Sequence, residues 1–156
     1  MATKVSLAAL VVVLGAGAAC SASNNACFRI CPAVGGQWQV TFQPATDPAE
    51  CQKVGAGVSD GPLDITQQTS ALEATFAGQA LSGTAYDTGQ FTLDGFTTPD
   101  AGNPDTFSFR GTYQRGADGG ASGDSLSGIY DSTLQRPSGQ GPVTCRLVRN
   151  YTAARR

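Results

Sequence analysis

The sequence has no histidine, and it has one tryptophan, Trp38, and one methionine, Met1. Without histidine the commonest general base and the commonest metal ligand are missing. Charge is scarce as well. Asp, Glu, Lys and Arg make up 14% of the chain, the net charge is −2, and Lys53 is the only lysine beyond Lys4. No basic run is present to neutralise a phosphate backbone, so nucleic acid is not an expected partner. No segment after residue 30 carries a helical period. Twenty glycines, eight prolines and many small hydroxyl residues instead suit a compact β protein with tight turns, not a charge-rich disordered chain. With so few reactive groups, the expectation is a protein that is not an enzyme and holds no cofactor or metal.

The start of the chain reads as a targeting segment. MATK supplies one positive charge, and VSLAALVVVLGAGAA, residues 5–19, is apolar, small and uncharged. A basic start, a short apolar stretch and small residues at its end predict a signal peptide over 1–19. It is too short and too rich in Gly and Ala at its end for a good spanning helix, which needs about 20 apolar residues.

Gly17-Ala18-Ala19-Cys20 resembles the lipobox of bacterial lipoproteins. The resemblance implies cleavage before Cys20 and acyl chains on that residue. It also implies a tether over 20–35 ahead of a barrel domain over 36–156. The location expected is the bacterial cell envelope, with a lipid anchor in the outer membrane. Cysteine parity agrees with this. The five cysteines are Cys20, Cys27, Cys31, Cys51 and Cys145; with Cys20 acylated, four remain for two disulfides in an oxidising compartment.

Alternation at period two, the mark of a half-buried strand, recurs along the rest of the chain. It predicts strands over 37–42, 63–68, 72–76, 80–86, 91–94, 107–113, 125–130 and 143–151. Most connections are short and rich in Gly, Asp and Pro, which favours antiparallel neighbours. The fold class expected is all-β: an eight-stranded antiparallel up-and-down barrel, with a two-sheet β-sandwich as the alternative. One phrase is written three times, as LSGTAY at 81–86, FRGTY at 109–113 and LSGIY at 126–130. Each copy puts a glycine in mid-strand, where a bend or a close backbone approach is expected, and a tyrosine two or three residues later. No copy holds a histidine, a cysteine or paired carboxylates, so the repeat reads as architecture and not as a catalytic cassette.

Gly36-Gln37-Trp38 at the start of the first strand resembles the lipocalins, and the Leu-Ser-Gly-x-Tyr strands look like those of the avidins. The resemblance implies a calycin-like barrel. It further implies that an arginine from the end of the last strand covers Trp38, with Arg149 the candidate by side-chain parity. It places a lid loop after the first strand, where 44–61 is the longest connection. In such a barrel the first strand ends at the rim where the eighth begins. A Cys51–Cys145 bridge would then staple the seam, leaving Cys27–Cys31 as a local loop. Four cysteines allow three pairings, and all three stay open at this level.

The functional expectation follows from this architecture. A small apolar ligand in the barrel would meet Trp38, Val40, Phe42, Phe76, Phe91, Phe107 and Phe109. The same side chains could equally fill a dry core, leaving a structural barrel whose loops meet a protein partner of the envelope. The acidic loops around Asp94, Asp100 and Asp105 and around Asp118 and Asp124 do not match a calcium loop and read as turns.

Overall fold

The computed structural model describes residues 25–98, 104–117, 119–138 and 141–156. The predicted signal peptide and Cys20 lie outside the described residues. Eight strands form: β1 (Gly36–Phe42), β2 (Gly61–Gln68), β3 (Ala71–Phe76), β4 (Gln79–Ala85), β5 (Gln90–Thr97), β6 (Asp105–Gln114), β7 (Ser125–Ser138) and β8 (Gly141–Arg155). Each pairs antiparallel with its neighbour in sequence order, and β1 pairs with β8, so the sheet is a closed barrel. Closure leaves no unpaired sheet edge. The expected barrel is therefore the fold, and the sandwich is not.

The alternation in the sequence is the alternation of burial. In β3, Leu72, Ala74 and Phe76 are buried while Ala71, Glu73 and Thr75 are exposed. In β8 every second residue from Cys145 to Ala153 is buried. On β7 the sequence leaves open whether Ile129 or Tyr130 points inward. Tyr130 does, and Ile129 is half exposed.

The repeated phrase now has a physical reading. Gly111 of β6 and Gly128 of β7 stand opposite each other in the ladder. A Cβ on Gly128 would lie only 2.6 Å from the Gly111 Cα and would run into the Arg110 carbonyl. The two strands approach more closely than any side chain would permit, as mid-strand glycines allow. The aromatic that covers this spot comes from elsewhere. A Cβ on Gly111 would strike the Tyr151 hydroxyl of β8 and lie 3.0 Å from the Phe91 ring of β5. Tyr113 and Tyr130, two residues after their glycines, turn inward. Tyr86, three residues after Gly83, follows the inward-facing Ala85 and does not share its face.

Two elements differ from expectation. Residues 25–35, expected as part of a tether, pack onto the barrel. Cys27 and Val34 are buried, because an apolar plug at that end covers otherwise exposed core. A five-residue helix, α1 (Ala49–Lys53), interrupts the long β1–β2 connection; so short a helix carries no readable period. Both disulfides of the expected pairing are formed, Cys27–Cys31 and Cys51–Cys145.

Candidate functional site

The two ends of the barrel are built differently. At one end, where β1 begins and β8 finishes, Trp38 is fully buried and its indole N–H donates to the Val34 carbonyl at 2.9 Å. Tyr113 meets the indole edge-on, with centroids 6.4 Å apart. A guanidinium lies 4.4 Å over the ring, as the resemblance implied, but it is that of Arg155 and not Arg149. The two arginines share one face of β8. They differ in rung: β8 runs on to Arg155, which stands directly opposite Trp38. Arg149 is six residues earlier, about 20 Å back along the strand, at the other rim.

Arg155 is held there by the carbonyls of Gly35 (2.9 Å) and Ala33 (2.8 Å) and by Asp124 (3.4 Å). Gly36, at φ +143°, has no side chain to obstruct it; a Cβ there would collide with the guanidinium. That is the physical content of the Gly-x-Trp motif at this position. Asp124 accepts from the Gly116 N–H at 3.0 Å and the Tyr113 hydroxyl at 2.8 Å. These donors hold its carboxyl below the ordinary carboxylate value. Burial, followed by this bond to Asp124, pushes the Tyr113 phenol up.

Above this plug the barrel is crossed by an aromatic layer. Phe109 lies 5.0 Å from Phe76, 4.8 Å from Tyr130 and 5.2 Å from Tyr151, and Phe42 lies 5.4 Å from Tyr130. Tilted and edge-on arrangements of this kind add about 0.5–1.5 kcal/mol per pair beyond burial. The Tyr151 hydroxyl is buried without a hydrogen-bond partner among the described residues, and burial pushes its pKa far above the ordinary value.

At the other end the barrel is not filled. A cavity of about 420 Å³ opens between the aromatic layer and the β1–β2 connection. Phe76, Leu81, Phe107, Phe109, Tyr130 and Leu134 form its apolar lining, and residues 57–62 form one wall. Its polar groups are few. Asp105 is buried and accepts from Arg136 at 2.6 Å and from the Gln135 N–H at 2.7 Å. Asp60 accepts from the Phe42 N–H at 2.8 Å. The buried Ser132 hydroxyl lies near the Tyr130 phenol without completing a hydrogen bond; burial pushes that phenol up.

The loop over this end is tied down from several directions. Cys51 on α1 is bridged to Cys145 near the start of β8. Arg149, far from Trp38, pairs with Asp47 and donates to the Ala45 carbonyl at 3.3 Å. Val58 reaches back to pack against the core. The long connection after β1 therefore lies against the cavity, held by a disulfide and an ion pair.

Of the seven expected liners, Phe76, Phe107 and Phe109 face the cavity. Trp38, Val40 and Phe91 are buried in the core and are not among its lining residues, and Phe42 belongs to the aromatic layer. Sequence reading missed Ser132, Leu134 and Arg136, because the expected strand ends at 130, and Tyr130, because parity there leaves two apolar neighbours undecided. The signal was present: the inward period 130, 132, 134 continues, masked by a serine and by Pro137. No group of three or more His, Cys, Asp or Glu side chains converges as metal ligands would among the described residues. No family model, curated protein or solved structure matches this chain.

Proposed function

We propose that the protein is a non-catalytic binder of a small, mainly apolar molecule, exported and held by lipid on Cys20 in the bacterial cell envelope. The cavity at the open end supports this best. About 420 Å³ falls within the roughly 300–1,000 Å³ usual for small-molecule sites, and so does an apolar lining with few polar groups. Asp105 is already neutralised by Arg136, so the site favours an uncharged ligand. A hydroxyl or carbonyl on that ligand could complete the hydrogen bonding of Ser132. The carboxylates here serve structure, with none placed for acid–base work.

The competing reading is a structural barrel whose loops meet an envelope protein. The filled aromatic layer and the buried Trp38 favour it, since that part of the interior is closed to any ligand. Native mass spectrometry of the protein recovered from its host decides between them. Extra mass that vanishes on denaturation supports the binder, and its identity names the ligand class. A bare protein mass that stays unchanged when neutral apolar compounds are added would overturn the binder and leave the structural reading.

A further inference from the structure

Phe28 and Ile30 are the most exposed large apolar side chains among the described residues, at 83% and 91%. They do not sit on a loose strand end. Cys27 and Cys31 close the loop covalently. Cys27 is buried and its N–H donates to the Ala85 carbonyl at 3.1 Å. On the far side Gln67 donates to the Pro32 carbonyl at 3.0 Å. The result is a rigid knuckle with two apolar tips and an exposed cation, Arg29, between them. A soluble domain gains nothing by holding two such side chains in water.

We propose that this knuckle is a membrane-contact element. Phe28 and Ile30 dip into the boundary between headgroups and acyl chains, and Arg29 meets anionic headgroups. The closed end of the barrel then faces the bilayer and the cavity faces away. Two further observations point to lipid as the occupant. The chain enters the described structure at Asn25, on this end. On the reading that Cys20 is acylated, on which this step rests, a short peptide at about 3.5 Å per residue at most keeps Phe28 close to the bilayer. Charge is also polarised. The open end carries Asp47, Glu50, Asp60 and Asp105 against Lys53, Arg136 and Arg149, with Asp100 outside the described residues. The closed end carries Arg29, Arg115, Arg155 and Arg156 against Asp87 and the buried Asp124, with Asp118 outside the described residues. Anionic lipid favours the closed end over the open one.

The test uses two aromatic exchanges at exposed sites on opposite ends, F28W and F96W; Phe96 is 72% exposed near the end of β5. Each protein, recovered from its host, is mixed with phosphatidylethanolamine–phosphatidylglycerol vesicles containing brominated acyl chains. Trp38 is buried and supplies the same background in both variants. The expected result is quenching of the added emission in F28W and none in F96W. Equal quenching in both, or none in F28W, overturns the proposal. A second measurement uses residues 21–156 without lipid; the closed barrel and both disulfides lie within 25–156. There, F28S/I30S should lower vesicle affinity about tenfold or more, and an unchanged affinity overturns the proposal. The mass of the host-derived protein reports Cys20 acylation separately. Failure of the anchor, of the knuckle and of the ligand site are therefore distinguishable.

Discussion

The closed end and the open end of this barrel use the same eight strands and arrive at opposite interiors. At the closed end a plug from residues 25–35 supplies Val34 and Cys27. The largest side chain, Trp38, fills the axis beneath Arg155. The two terminal guanidinium nitrogens of Arg155 and the Asp124 carboxylate all find partners within the plug or the strand tips. At the open end the covering loop spans 43–60 and packs through Val58 on the main core and through Cys51, Val54 and Ala56 on a smaller cluster with Leu134, Cys145 and Leu147. The strands there contribute Leu81, Ser132 and Leu134 where the closed end has Trp38 and Tyr113. Closing a barrel does not by itself settle whether it is full. That depends on which side chains stand at each level and on what covers the mouth.

The disulfides express the same contrast and offer the largest test of it. Cys51–Cys145 spans 94 residues of sequence and Cys27–Cys31 only 4. Loop-closure entropy predicts a loss of about 4–5 kcal/mol for C51S/C145S and about 2 kcal/mol for C27S/C31S. Urea unfolding of the two double variants measures this. Equal losses would mean that the open end is not held by its long-range bridge.

Packing provides the next test. W38A should cost about 3–5 kcal/mol, because the plug cannot collapse into the space left. L134A should sit at the low end for a buried leucine, about 2 kcal/mol, because it enlarges a cavity that already exists. Denaturation midpoints check both, and a costlier L134A would indicate that the open end is packed as tightly as the closed one. Between the two ends, G128A forces β6 and β7 apart where their backbones meet. It is expected to cost about 1–3 kcal/mol, measured the same way.

The smallest effect is pH-dependent and belongs to the closed end alone. The native pKa of Asp124 lies below its ordinary value of 3.8. Its contribution is therefore full above 3.8 and is lost as pH falls through the depressed native value. Stability measured from neutral pH down to about 3 should fall more steeply in the wild-type protein than in D124N. The Trp38 emission, close to Tyr113 and Arg155, should respond before signals from the open end. Parallel acid profiles for wild type and D124N would remove Asp124 from the plug.

Much of this was legible in the chain. The strands could be read because each wall residue faces either core or solvent, and a period of two records that choice locally. The Cys51–Cys145 staple could be anticipated because antiparallel closure of eight strands brings the end of the first to the start of the eighth. Arg155 could not be separated from Arg149, because parity identifies a face but not a rung. Only the β1–β8 register distinguishes two arginines on one side of one strand. The cavity residues on β7 escaped for a related reason: Ser132 and Pro137 look like the end of a strand unless the long β8 beside them is known.

By itself, then, the sequence determined the class of fold, the number of strands and the side to which most residues point. These depend on local alternation and on short connections. Tertiary structure alone decided which arginine covers Trp38, that residues 25–35 plug one end, and that the other end keeps a cavity. Those outcomes depend on how far each strand slides against its neighbour and on how volumes from distant segments sum at one level of the barrel. Neither quantity is written in any local stretch of the chain.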